Sequence, residues 1–438
     1  MKRIFCQMFM IICMFATFVF HASSIDEDTI VRVGLYYGSS ALSEAKLDND
    51  DEDGGKGYEI GWFDDDHEFE EDEEIENECI TIEPDGGGLR ILDTDTGEVL
   101  YETDDDTIAV YPNSALTWFK QNVYRGGFEY RNIEGKITVV NYVNIEDYVK
   151  GVVPYEMTPS WNIEALKAQA VCARSYVWGS MGKHAETYGF DVCNTTNCQV
   201  YKGEVRATEN SNDAVDETAG EILYYDDEPV IGFFFSSDGG ATEDAENVWG
   251  YPYPYLKGVE DPYEDTETAY VGYWTKTLTA DEIAEKLRDA GKDIGEVCDV
   301  SITKFTDMGN VNELTITDTD GNTVVLKNSS CRTTLGLNSI RYTVSGSDET
   351  SDESAVKKTT GPVGTVSRVI GGVIANASIE VTGSNGSVTA TGSEFVFDGA
   401  GWGHHVGMSQ HGAKCMADEG FDYEEILTFY FTDIEVRE

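Results

Sequence analysis

The sequence predicts an α+β protein: mixed or antiparallel sheets, a central helix directly after a loop that carries a carboxylate, and an acidic accessory β region ahead of both. Three observations predict it. Apolar residues alternate through NVYRGGFEYRNIEGKITVVNYVNIEDYVKGVV, which breaks at Gly126-Gly127 and Glu134-Gly135, as an antiparallel meander does. Ile163, Leu166, Ala170, Ala173 and Val177 then recur at spacings of three or four, as on the buried face of a helix. Finally, a short amphipathic helix, TADEIAEKLRDA, ends at Gly291 and is followed by the strand-like runs VSITKFT, NELTITD and TVVLK, with DTDGN as a turn.

Taken in order, the chain opens with Lys2 and Arg3, an apolar run over residues 4–20, and HASS. That is the pattern of an export signal, cleaved after Ala22 or Ser23, and the run is also long enough to serve as an uncleaved membrane anchor; either places the remainder outside the cytoplasm. With 82 acidic against 30 basic residues, the formal charge is −52. Nucleic acid is excluded as a partner, because its binding depends on cations that neutralise phosphate. Docking to anionic lipid by bulk charge is excluded on the same ground, so an anionic ligand requires a local basic site. The length of 438 residues allows two or three domains, divided here as residues 1–24, 25–112 and 113–438.

In the accessory region, the strand-like runs IVRVGLYYG, 79–82, 89–92 and 107–111 are interrupted by DNDDEDGGKG and FDDDHEFEEDEEIENE, which read as solvated insertions because like charges repel. Asn49, Asp51, Asp53 and Gly54 imitate the start of a calcium loop, but Ile60 stands where the closing Glu belongs, so that site is rejected.

A β run over residues 137–153 is expected to end at Pro154, and a helix to open after Pro159 with Ser160 as its N-cap. Glu156 then sits on the short connection, held in place yet open to a cleft, which suits a catalytic acid. At about 100° per residue, Lys167 and Arg174 project almost in line on one shoulder of the helix, as a binding pair or as ordinary solvated charges.

Downstream, Cys193 and Cys198 share a polar loop, a helix is expected over residues 210–218, and the apolar strand VIGFFFS is expected at the centre of a sheet. It delivers Ser236, Ser237, Gly239 and Gly240, a turn whose hydroxyls and backbone N–H groups suit sugar hydroxyls or an anion, or which is simply a turn. Trp249 and the YPYPY run after it form either a stacking platform or a packed loop. Residues 345–360 are low-complexity and read as a flexible insertion. His404, His405 and His411 cluster near the C-terminus without a supporting carboxylate in sequence, so a metal site there is set aside. His404, Ser409 and Gln410 are expected to form a polar cleft wall that opens a helix over residues 408–418, with a last helix over 423–431.

Taken together, GVVPYEM with EALKAQAVCARSY, FFFSSDGGATEDAENVWG, CRTTLGLNSIRYTV and GWGHHVGMSQHGAKCMA resemble the SpoIID/LytB family of cell-wall proteins, in family order from about Leu116 to the C-terminus. The resemblance implies that Glu156 is the acid of a peptidoglycan lytic transglycosylase that needs no cofactor and prefers glycan strands stripped of stem peptides. The setting implied is sporulation, at engulfment. Lys167 with Arg174 would read the lactyl carboxylate that stripping frees, and Ser236, Ser237, Gly239, Gly240, His404, Ser409 and Gln410 would line the glycan. The LytB branch implies the alternative, a non-catalytic wall-binding partner that stimulates an amidase. Some relatives bind zinc near the cysteine loop; because Asn197 stands where a His is expected, structural zinc at Cys193 and Cys198, a disulfide and free thiols all stay open. His404 matches a family His, whereas His405 replaces an expected Gly and His411 an expected aromatic.

Overall fold

The hairpin over residues 127–144 supplies two central strands of the main sheet. Glu134 and Gly135 both adopt positive φ (54° and 78°), which lets a two-residue turn match the twist of the strands it joins. Gly127–Ile133 therefore pairs antiparallel with Lys136–Asn144, from Ile133 against Lys136 to Gly127 against Tyr142. Seven consecutive residues of the second strand are buried, so both its faces are covered.

In the computed structural model, which describes residues 25, 28–49, 57–265, 272–347, 368–370, 373–375 and 388–438, this hairpin lies within a seven-stranded sheet. Its order is Val192–Cys193, Ile30–Tyr36, Lys136–Asn144, Gly127–Ile133, Thr107–Pro112, Tyr58–Phe63 and Phe69–Ile75, antiparallel except at the first pair. The architecture is α+β. The export segment, Asp51, Asp53 and Gly54, and residues 348–360 of the low-complexity stretch lie outside the described residues. Among the described residues, no helix is long and apolar enough to cross a membrane.

Three expectations are corrected here. The boundary at residue 112 runs through one sheet, because Thr107–Pro112 pairs with both Gly127–Ile133 and Tyr58–Phe63. The acidic block is partly a strand: Phe69–Ile75 takes the sheet edge, where Glu70 to Glu74 all remain exposed and their repulsion is screened by water. The β run also stops at Asn144 rather than Val153. Beyond Asn144 the buried residues Ile145, Tyr148, Val149, Val152 and Val153 recur at three or four, and the chain forms helix α1, Ile145–Glu156.

Helix α2, Ile163–Ser180, crosses the middle of the large core, packed on α1, on α4 (Glu209–Asp216) and on the C-terminal helices. Asn162, not Ser160, caps it, accepting the Glu164 N–H at 3.1 Å. Between α2 and α4 lies the single turn α3, Ala185–Tyr188. The apolar VIGFFFS run does not become a central strand: only Phe234–Phe235 is extended, and it pairs with Met408–Ser409 alone in a two-stranded sheet.

After α5, Ala245–Trp249, the chain builds a second core before returning to the first. Helix α6, Ala280–Asp289, and the single turn α7, Ser330–Thr333, accompany a three-stranded and a four-stranded sheet around Trp274, Leu287, Ile302, Leu314 and Phe397. The expected strands VSITKFT, NELTITD and TVVLK are all present. Helices α8, Gln410–Glu419, and α9, Tyr423–Tyr430, then close against α2.

Candidate active site

The position of Glu156 follows from the local chain. Asn144 ends the long strand and caps α1, its side chain accepting the Glu146 N–H at 2.9 Å. Pro154 lacks an N–H, so the helix forfeits one backbone bond near its end, and the Met157 N–H closes it on Val153 O at 2.9 Å. Glu156 is thus the final residue of a rigid helix rather than a loop residue.

Its carboxyl is held by amides. The Val200 N–H donates to Oε1 at 2.9 Å, and Gln410 Nε2 lies 3.5 Å from Oε2 and 3.2 Å from Gln169 Oε1. The acid is therefore gripped by the end of α1, the loop after Cys198 and the start of α8, with α2 behind. Burial raises its pKa above the usual glutamate value, while the bonds from Val200 and Gln410 pull the other way. Such a group retains its proton more readily than an exposed glutamate and can donate it.

Gln169 is a residue that the sequence reading missed. It is fully buried, and its Nε2 has no hydrogen-bond partner among the described residues. The available signal was a polar residue between Ala168 and Ala170 on an otherwise apolar face.

The remaining expected residues divide. Gln410 and Glu156 are brought together. Arg174 is not open to a ligand: at 0% exposure its Nε and Nη2 hold Glu146 at 2.8 and 2.5 Å, and Nη1 reaches Glu221 O at 3.0 Å. Lys167 pairs with Glu164 at 3.0 Å and Glu217 at 2.7 Å. In this structure both cations are already paired, and a lactyl carboxylate would have to displace these carboxylates to reach them. The Ser236 to Gly240 turn also faces inward. Ser237 Oγ, Ser409 Oγ and the N–H groups of Asp238 and Gly239 all donate to Glu264, and the Gly240 N–H donates to Asp238 Oδ1 at 2.6 Å. The hydroxyls of Ser237 and Ser409 and the N–H groups of Gly239 and Gly240 are thus occupied by buried carboxylates, which a reading of sequence neighbours could not find. Ser236 gives its carbonyl to His411.

His404 is half-buried, packs at a tilt against Phe235 and Trp249, and accepts the Val406 N–H at Nδ1; burial, helped by Arg332, pushes its pKa down to about 4. Trp249 itself packs on Phe233, so it belongs to a packed cluster. His405 has φ of 65°, which explains why a Gly is expected there, and its ring stacks on Phe235. His411 lies edge-on to Trp161 at 5.2 Å, in an aromatic's role.

At the cysteine loop, His184 ahead of α3 completes a cluster that sequence spacing did not reveal. His184 Nε2 lies 3.3 Å from Cys198 Sγ, which also accepts the Cys193 N–H at 3.4 Å, and one ligand atom from each of the three residues falls within 4.8 Å of the others. Both thiols are free rather than joined. A hydrogen bond from Cys198 holds the Cys193 thiol well below its ordinary range. Two sulfurs and an imidazole are the donor set zinc prefers.

A half-buried acid at a helix end, held by amides from three other elements of an α+β body, defines the class of the site. Residues 133–225 match the SpoIID family, described as stage II sporulation protein. The chain is 30% identical over 316 residues to the Stage II sporulation protein D of Bacillus subtilis (strain 168), covering 68% of this chain and 76% of that protein. It is 32% identical over 316 residues to an uncharacterised protein of Brachyspira hyodysenteriae, covering 72% of each. It is 32% identical over 295 residues to the Amidase enhancer of B. subtilis, of which it spans 39%. The chain belongs to the SpoIID family.

Proposed function

We propose that this chain is an exported peptidoglycan lytic transglycosylase that cleaves the bond between N-acetylmuramic acid and N-acetylglucosamine, with Glu156 as its one acid. The observation that carries the reading is the half-buried Glu156, raised in pKa by burial and held by the Val200 N–H and the Gln410 amide rather than by a second carboxylate. Most glycosidases flank the bond with two carboxylates. A lytic transglycosylase manages with one because the nucleophile belongs to the substrate. Glu156 gives its proton to the glycosidic oxygen as the bond to muramoyl C1 breaks. The muramoyl C6 hydroxyl attacks C1 and returns its proton to Glu156, leaving a 1,6-anhydro end and consuming no water.

The stage II sporulation names of the relatives support a sporulation setting at the cell wall. Zinc, if held, would lie on His184, Cys193 and Cys198, tying the loop that supplies the Val200 N–H to the N-terminal end of α3. It would act as a structural clip.

The name of the Amidase enhancer relative favours a second reading, a non-catalytic glycan-binding partner of an amidase. Mass spectrometry of peptide-stripped glycan strands incubated with the protein in heavy-oxygen water separates them. Unlabelled anhydro ends support the transglycosylase, and labelled reducing ends would mean hydrolysis instead. Intact strands that co-sediment with the protein would favour the amidase partner.

A further inference from the structure

Beside the start of α8, three carboxylates are enclosed in the fold: Asp238 is 0% exposed, Asp261 5% and Glu264 8%. One oxygen from each falls within 4.8 Å of the others. Two of the three are well supplied with donors. Glu264 takes two at each oxygen, from Ser237, Gly239, Asp238 and Ser409. Asp261 accepts the Tyr263 and Glu264 N–H groups at Oδ1 and the Tyr430 hydroxyl at Oδ2.

Asp238 differs. Its Oδ1 takes the Gly240 N–H, but its Oδ2 is buried with no hydrogen-bond partner among the described residues. An unpartnered buried carboxylate oxygen beside two other carboxylates calls for positive charge. The neighbouring guanidinium does not supply it by contact, since Arg341 Nη1 donates to Met308 O at 2.9 Å and Asn310 Oδ1 at 3.3 Å.

We propose that Asp238 and Asp261 bind a hard divalent cation, calcium by preference, with the free Oδ2 of Asp238 as its anchoring ligand, while Glu264, whose acceptor sites are taken by its four donors, adds negative charge beside the ion. The donors are oxygen alone, the chemistry of calcium or magnesium rather than of zinc. Such an ion ties the Ser236 to Gly240 turn to the loop over residues 261–264, and Glu264, its N–H held by Asp261, carries that loop to the Ser409 N-cap of α8. The next residue, Gln410, touches Glu156, so the ion fixes the element that positions the acid. This cation site is separate from the thiol and imidazole cluster and does not depend on the reaction proposed for Glu156.

The test is equilibrium dialysis of the purified protein, stripped with a chelator, against radiocalcium, with thermal unfolding followed in calcium and in magnesium. The site binds one calcium per chain and the melting temperature rises on its addition. Asp238→Asn loses at least about tenfold in affinity, as removal of a metal-site group does, and its melting temperature no longer responds to calcium. Glu71→Gln with Glu73→Gln, on the exposed acidic strand, leaves both responses intact. Asp238→Asn is the conservative variant because it keeps the shape, and the calcium response of the unaltered protein stands whether or not any variant folds. A protein that binds no calcium and melts at one temperature throughout would overturn the proposal and leave a shared proton as the neutralising charge. Full binding in Asp238→Asn, or its loss in the Glu71 and Glu73 variant, would place the ion elsewhere and overturn it too.

Discussion

Replacing Arg174 by Met tests whether this side chain serves the fold or a ligand. The guanidinium is fully buried between α2, α1 and α4, with two bonds to Glu146 and others to the carbonyls of Glu221 and Val215 at 3.0 and 3.4 Å. Methionine conserves much of the volume but takes its donor from the Glu221 carbonyl and its cation from Glu146, whereas the Val215 carbonyl keeps the N–H and hydroxyl of Thr218. Glu146 keeps the Gly220 N–H at 3.0 Å and is 21% exposed, so water offsets part of its loss. Breaking a buried pair costs about 3–5 kcal/mol, and with that offset the expectation is about 3 kcal/mol. Urea denaturation measures it, and a cycle with Glu146→Gln is expected to show a coupling of about 2 kcal/mol, since the second change costs less once the first is made. Below its unfolding transition the variant is expected to bind stripped glycan strands as the parent does. Unchanged stability with selective loss of stripped strands would refute this reasoning and restore Arg174 as a ligand-binding residue.

Other outcomes follow from the same geometry. Because burial raises the pKa of Glu156 in the folded state, its ionised form is a cost to folding that appears as pH rises through the folded pKa and is absent below the unfolded one. Glu156→Gln is therefore expected to raise the melting temperature at neutral pH, with the gain vanishing in acid; a gain that persists in acid would show a different cause. The bond from Gln410 favours the ionised form, so Gln410→Ala is expected to move the alkaline limb of the cleavage profile to higher pH, and a shift to lower pH would contradict the contact. Zinc added to the metal-free protein is expected to bind at one per chain by atomic absorption, and His184→Ala to weaken it at least about tenfold; equal binding by the variant would exclude His184 as a ligand.

How much of this was legible in the sequence depended on the range of the forces involved. Local signals located the hairpin at Glu134-Gly135, the periodic face of α2, the strands after α6 and the two C-terminal helices, because turn chemistry and periodicity act within a few residues. The register change at Asn144 was hidden, since Val139, Val140 and Val143 alternate much as Val149, Val152 and Val153 repeat. The strand nature of residues 69–75 was hidden for the opposite reason, its pairing with Tyr58–Phe63 being invisible in a run of like charge. Within the site, Glu156 and Gln410 were singled out, but what occupies Arg174, Ser237 and Ser409 was not. Their carboxylate partners, Glu146 and Glu264, are acidic residues in a chain with 82 of them, and nothing local separates a buried carboxylate from a solvated one. His184 escaped for the same reason, lying nine residues before Cys193 beside a turn with no metal spacing.

The central claim is that a single carboxyl, Glu156, performs the cleavage. The most direct measurement compares the parent with Glu156→Gln on peptide-stripped glycan strands by mass spectrometry, after unfolding curves show both to be folded. The account predicts anhydro-ended fragments from the parent and a rate about 10²–10⁴-fold lower from the variant, the usual worth of a general acid. Equal yields of anhydro ends from both would contradict it.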